Sequence, residues 1–255
     1  NTEDPVTLAD LRVNEVIIKS INDKYINAHW EILSEENVKI NKNNKILKKD
    51  FVWVLDPLDG TKDFLQGTGN YAMHLALNFK NNPYLGVVLI PLRNELWISN
   101  HEMVWCEKRD GTRKTPNLSK KNNLKEMVIV TSKNHRNKTL NDLIKKVNFK
   151  EVIVMGSIGC KIASILRGES DIYICISLPG ESSPKDWDFA APAAALKAAG
   201  GEITNLNNEN LIYGKSNFEQ GGVIIASSNY LNHAKICSEI KEVVTKYNLF
   251  PFDVN

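Results

Sequence analysis

The sequence predicts a mixed protein, an α+β half over residues 1–120 followed by an α/β half over residues 121–255. Three observations carry this expectation. From 73 to 106, short alternating apolar runs follow one another with only turn residues between them, which is the pattern of an antiparallel meander. Beyond residue 124, strand-like and helix-like segments take turns, as in an α/β unit. Between the two, residues 110–124 are polar and lysine-rich and read as a boundary. At 255 residues the chain can bury a sizeable core, as one large domain or as two intimately packed halves.

In chain order, Thr7-Leu8-Ala9-Asp10 has the spacing of a capping box, and Val13, Val16, Ile17 and Ile21 follow at helical spacing. A helix therefore starts near Thr7, and Asp10 needs no other role than satisfying its N-terminus, worth about 1 kcal/mol. Residues 30–33 read as a short strand ending at Ser34-Glu35-Glu36, and 37–49, rich in Asn and Lys, as a hairpin or loop. The apolar run 51–55 is a buried strand expected to stop at Asp56, and Gly60-Thr61 leads into a short helical segment through Phe64. In 73–79, Met73, Leu75, Leu77 and Phe79 share one face, and 84–90, 95–99 and 103–106 continue as strands.

The second half is read as a strand at 127–131, a helix at 139–147, a strand at 151–155, a helix from Ser157 and a strand at 171–176. Asp188 stands at the start of an alanine-rich helix with Pro192 in its first turn, and Gly200-Gly201 ends it. Small side chains let this helix approach its neighbours closely. A strand at 223–226 and an amphipathic helix through Leu231, Ile236, Ile240, Val243 and Val244 complete the chain.

Composition narrows the function classes. Hydrophobic content of 42%, charged content of 24% and a net charge of +2 lack the basic excess of a nucleic-acid binder. No apolar run approaches the roughly 20 residues of a membrane span, and no signal peptide is evident, so a cytoplasmic protein is expected. Cys106, Cys160, Cys175 and Cys237 are widely spaced and read as reduced core thiols rather than disulfides or a zinc site.

The chemistry concentrates in residues 51–64, FVWVLDPLDGTKDF. Asp56 and Asp59 stand three residues apart around Pro57 and just before Gly60, so the chain turns and both carboxylates can face one point. Two such charges about 4 Å apart repel by roughly 4 kcal/mol at an effective dielectric of about 20, a cost that a shared divalent cation removes. A solvated Asx-type turn is the other reading of the same residues. A helix start beside a bound metal is also a ready anion site, as a phosphate ester requires.

Four fragments occur in one order: PVTLAD at 5–10, ILSEE at 32–36, WVLDPLDGTKDF at 53–64 and DWDFAAPAAALKAAGG at 186–201. Together they resemble the inositol monophosphatase superfamily of Mg²⁺-dependent, lithium-sensitive phosphomonoesterases, over almost the whole chain. The lysine in DPLDGTKDF, SKNH at 132–135 and GSIGCK at 156–161 look most like its 3′(2′),5′-bisphosphate nucleotidases. Those enzymes remove the 3′-phosphate of 3′-phosphoadenosine 5′-phosphate, a by-product of sulfate activation. The alternative within the superfamily is an inositol monophosphatase or related sugar-phosphate phosphatase.

The resemblance implies a layered αβαβα sandwich of the sugar-phosphatase fold. It assigns one Mg²⁺ to Glu35, Asp56 and the carbonyl of Leu58, and a second to Asp56, Asp59 and Asp188; a third, more weakly held, would share Glu35. Asp10 would pair with Thr61 to orient an attacking water, and the Gly60 and Thr61 backbone N–H groups would hold phosphate oxygens. Ser132, His135, Ser157 and Lys161 match positions that contact the nucleotide. The partner implied is a small phosphate ester acting on a monomer or homodimer. The chain opens at Asn1, and the family's first helix with its lysine-bearing loop is expected upstream of PVT. A catalytically silent homologue usually loses ligands, whereas Glu35, Asp56, Asp59, Asp188, Asp10 and Thr61 are all present.

Overall fold

The first half forms a seven-stranded sheet in sequential order, β1 (Glu31–Ser34), β2 (Phe51–Asp59), β3 (Ala72–Phe79), β4 (Asn82–Ile90), β5 (Glu95–Ser99), β6 (Val104–Glu107) and β7 (Arg113–Lys114). The computed structural model describes residues 6–41, 47–134 and 136–251. Only the β1–β2 pair is parallel; the rest is the meander the turn spacing predicts. The second half adds β8 (Val128–Ser132), β9 (Glu151–Met155), β10 (Ile172–Ser177), β11 (Glu202–Asn205) and β12 (Gly222–Ser227), ordered β11-β12-β10-β8-β9. β8, β9 and β10 run parallel, and β12 and β11 pair antiparallel at one side.

Among the described residues seven α-helices accompany the sheets: α1 (Leu8–Lys24), α2 (Glu35–Asn41), α3 (Thr61–Leu65), α4 (Lys138–Val147), α5 (Ile158–Leu166), α6 (Asp186–Ala198) and α7 (Tyr230–Lys246). The alternation of β10 shows how they are layered. Tyr173 and Cys175 join a core with α5, α6 and the first sheet, whereas Ile172, Ile174 and Ile176 join a second core with α4 and α7. Helices α5 and α6 thus lie between the sheets, α4 and α7 cover the far face of the second sheet, and α1 and α2 pack on β2. The result is a layered αβαβα sandwich.

The alanine-rich helix sits very close to the first sheet. A Cβ on Gly86 of β4 would stand 2.6 Å from the Ala191 carbonyl and 2.9 Å from the Ala194 methyl. This explains which face of β3 is buried. The close approach of α6 encloses Ala72, His74, Ala76 and Asn78, while Met73 and Leu75 on the larger face are half-buried and Phe79 is exposed.

Local expectations hold at α1, where the Thr7 side chain accepts from Ala9 N and Asp10 N and Asp10 reaches back to Thr7 N. Three differ. β2 does not stop at Asp56; it rejoins β3 at the Asp59–Ala72 pair after a register shift, because Pro57 lacks an N–H and interrupts the ladder without ending it. The segment from 37 is not a loop throughout, since α2 extends to Asn41, with Glu35 and Glu36 in its first turn and Lys39 bonded back to both at 2.9 and 3.0 Å. α6 begins at Asp186, which places Asp188 in the third helical position and Pro192 in the second turn. There Pro192 removes the helical bond that would end on the Asp188 carbonyl. β11 was not anticipated from the sequence.

All four cysteines are buried and free. Among the described residues no helix is long and apolar enough to cross a membrane.

A polar cluster ties β11, β12 and α7 together. His233, 1% exposed, hydrogen-bonds through Nδ1 to Ser227 Oγ at 2.7 Å and through Nε2 to Thr204 Oγ1 at 2.8 Å. Burial lowers its pKa from 6.5 to about 4, so the unfolded chain binds the extra proton first as the pH falls. This contribution is intact above pH 6.5 and is lost between 6.5 and 4, amounting to about 3 kcal/mol. The stability difference between the wild type and His233→Gln, followed by urea unfolding, is therefore expected to move toward the variant across that window. A pH-independent difference would contradict it.

Candidate active site

The register shift in β2 turns Asp56 and Asp59 toward the first turn of α6, where Asp188 meets them. Carboxylate oxygens of Asp56, Asp59 and Asp188 all lie within 4.8 Å of one another. Glu35, opening α2, adds a fourth acidic group hydrogen-bonded to Asp56. Burial raises the pKa of Asp56 well above the usual range, and the charges of Glu35, Asp59 and Asp188 add to it. Asp188 is raised in the same way, by burial and then by Asp59 and Glu35; Glu35 is raised by burial against the opposing pull of Lys39. Clustered oxygen donors of one sign fit a hard divalent cation such as Mg²⁺, which would remove the repulsion that otherwise favours protonation.

Each ligand candidate is held by other groups. Asp59 Oδ2 accepts from Ser157 Oγ at 2.6 Å and Gly159 N at 3.2 Å, with His74 Nε2 at 3.3 Å. Asp188 Oδ2 accepts from Lys185 N at 2.6 Å. Asp56 Oδ1 accepts from Leu58 N at 3.0 Å, and the Leu58 carbonyl accepts from Thr61 Oγ1 at 3.1 Å. Thr61 Oγ1 also lies 3.3 Å from Asp10 Oδ1, while Asp10 Oδ2 serves the α1 cap. One aspartate caps a helix with one oxygen and faces Thr61 with the other.

Gly60 turns the chain into α3 with φ +91°, and a Cβ there would stand 2.9 Å from the Asn70 carbonyl. Only glycine fits. Ser132, at the end of β8, hydrogen-bonds to the Tyr173 hydroxyl. Lys161 is buried in α5, its Nζ 5.2 Å from the centre of the Tyr173 ring, and burial lowers its pKa against the pull of Asp59. Ser157 turns its hydroxyl to Asp59 and also caps α5 at Cys160 N, 3.2 Å away. His135 lies outside the described residues.

His74 is the site residue the sequence did not suggest. It is fully buried, with Nδ1 3.4 Å from the Trp187 carbonyl and Nε2 3.3 Å from Asp59 Oδ2. Gly159 makes room for it, since a Cβ there would be 2.2 Å from His74 Nε2. Its signal was a polar residue on the small-residue face of β3.

The profile described as the inositol monophosphatase family matches residues 1–245. The chain belongs to the inositol monophosphatase family. This family member is accordingly a phosphatase, and metal dependence is general to the family. It is 30% identical over 213 residues to the 3′(2′),5′-bisphosphate nucleotidase CysQ of Buchnera aphidicola, spanning 83% of this chain and 75% of that protein. It is 28% identical over 212 residues to the bifunctional phosphatase IMPL2 of Arabidopsis thaliana, spanning 82% and 57%. Among solved structures, the IMPase of Thermotoga maritima superposes with a TM-score of 0.74 at 24% identity, over 96% of this chain and 87% of that one, which bears on the fold.

Proposed function

We propose that the protein is a Mg²⁺-dependent 3′(2′),5′-bisphosphate nucleotidase that converts 3′-phosphoadenosine 5′-phosphate to AMP and phosphate. The observation that carries this reading is the Asp56–Asp59–Asp188 cluster, Asp56 buried and the other two half-buried, beside the Thr61–Asp10 pair, in a chain 30% identical to a nucleotidase of that name. In this reading Glu35, Asp56, Asp59, Asp188 and the Leu58 carbonyl would hold two ions, and a third would share Glu35. When bound, Mg²⁺ supplies stabilisation of negative charge on the attacking and leaving oxygens.

The chain's own residues do the rest. With its proton directed to Asp10, Thr61 Oγ1 presents a lone pair that accepts a hydrogen bond from the attacking water and orients it. The water oxygen bonds to phosphorus as the bond to the 3′-oxygen breaks, one water proton staying on the released phosphate and the other ending on the 3′-hydroxyl, with no covalent enzyme intermediate. Gly60 and Thr61 N–H groups hold phosphate oxygens. Lys161 is a point charge for a phosphate, Ser132 and His135 contact the nucleotide, and Ser157 serves the site through Asp59. The reading extends to inhibition by Li⁺ and to clearing a by-product of sulfate activation in the cytoplasm.

The test is a phosphate-release panel over 3′-phosphoadenosine 5′-phosphate, its phosphosulfate analogue and inositol 1-phosphate, with and without Mg²⁺ and Li⁺. The expected result is Mg²⁺-dependent release, with kcat/KM at least about 10-fold higher for the bisphosphate than for inositol 1-phosphate, a gap of about 1.4 kcal/mol. The reverse preference would establish an inositol or sugar-phosphate phosphatase instead.

A further inference from the structure

Asp63 belongs to the DPLDGTKDF stretch, yet the site described above leaves it without a role. It is 0% exposed, in α3, two residues past Thr61. Its carboxylate gathers three separate segments. Oδ1 accepts from Thr68 Oγ1 at 2.5 Å and lies 3.5 Å from Lys133 Nζ; Oδ2 accepts from Asn134 Nδ2 at 3.0 Å. Lys133 Nζ also donates to Gln66 Oε1 at 2.8 Å, at the end of α3. Gly156 lies against the same carboxylate, for a Cβ there would stand 2.4 Å from Asp63 Oδ2.

Backbone bonds make the junction continuous. Lys133 N donates to the Met155 carbonyl at 2.9 Å, and Ser157 N to the Asn70 carbonyl at 3.1 Å. Asp63 is thus where the turn carrying Gly60 and Thr61, the segment leaving β8 and the turn entering α5 meet. Lys133 and Asn134 follow Ser132 directly, at the carboxyl end of a parallel strand, where α/β sheets gather their ligand contacts. Asn134 is exposed, so the contact is not one that core packing requires.

We infer that Asp63 is a positioning residue for substrate selection: it clamps the segment after β8 to the phosphate turn, fixing where the part of the substrate beyond the reacting phosphate is held. This deepens the nucleotidase reading and rests on it for the identity of that part. A buried carboxylate accepting from three donors is costly to unmake: Asp63→Asn replaces one acceptor oxygen by an amide donor, so Thr68 and Asn134 can no longer both donate to it, and Lys133 keeps only Gln66. The reacting phosphate is held elsewhere, so loss of the clamp weakens binding of the distal part and leaves the chemistry in place.

The experiment compares Asp63→Asn, Asn134→Ala and the exchange Asp63→Asn/Asn134→Asp on 3′-phosphoadenosine 5′-phosphate and on p-nitrophenyl phosphate, which has no distal part. For both single variants KM for the bisphosphate is expected to rise about 10-fold or more with kcat within about 3-fold. Values for p-nitrophenyl phosphate should stay within about 2-fold, and the exchange should recover most of the bisphosphate KM. Amide hydrogen exchange of residues 133 and 134 should speed up in the single variants and not in β3, independently of any substrate. Equal losses on both substrates, an unchanged bisphosphate KM or unchanged exchange would overturn the clamp. Should the wild type fail to hydrolyse the bisphosphate, the nucleotidase reading fails; the clamp is then judged on exchange and on the largest phosphate ester the enzyme accepts.

Discussion

Replacing Asp188 by asparagine is expected to cut phosphate release by about 100-fold or more while making the metal-free protein more stable, not less. Both effects follow from the same crowding. Asp188 is half-buried beside Asp59 and Glu35, and its pKa is raised, so the folded state holds this proton more tightly than the unfolded chain does. A carboxyl raised on folding costs stability at pH values above its folded pKa and regains it as the pH falls. Asparagine removes the charge and keeps an oxygen able to accept from Lys185 N, the 2.6 Å bond that Asp188 makes now. Thermal melts in EDTA should show a higher Tm for the variant at pH 7. Titrating Mg²⁺ should raise the wild-type Tm and move the variant far less. An Asp188→Asn enzyme with near-normal turnover, or with an undiminished response to Mg²⁺, would contradict the ligand assignment.

For Thr61→Ala the expected loss is also about 100-fold, with the opposite pattern in binding. The Thr61 side chain is bonded to Asp10 and to the Leu58 carbonyl and is not among the clustered carboxylates, so the Mg²⁺-induced rise in Tm should survive. Asp10 keeps its bonds to Thr7 in the α1 cap, which guards the fold against the change. Thr61→Ser retains the hydroxyl and should recover activity to within about 10-fold of the wild type. A Thr61→Ala enzyme that loses its response to Mg²⁺ together with its activity would place Thr61 in metal binding rather than in water positioning.

Much of this arrangement was legible in the sequence wherever the information is local. The Thr7–Asp10 box, the apolar start of β2, the turn at Gly60 and the double glycine after α6 each announce themselves within a few residues. Asp56 and Asp59 were legible as candidates from their spacing around Pro57, whereas Asp188 read as the start of a helix until the family resemblance of the four fragments joined it to them. What stayed hidden depends on contacts across the chain. The extension of β2 past Pro57 is decided by its pairing with Ala72, and α2 is held by ion pairs in a segment whose composition suggests a loop. His74 reads as one alternating residue in a strand until Asp59 and Trp187 are brought to it. The bond from the Ser157 hydroxyl to Asp59 joins residues 98 positions apart in sequence and has no local signal.

The lack of room between Gly86 and the α6 alanines bears on how this protein can be engineered. Its third carboxylate rides on a helix packed against a glycine of the β-sheet, so an enlargement at Gly86 or Ala194 is expected to shift the helix that carries Asp188. Sequence changes meant to harden the molecule belong in the outer layer formed by α4 and α7, where core residues such as Leu143 and Ile240 pack without touching the catalytic frame.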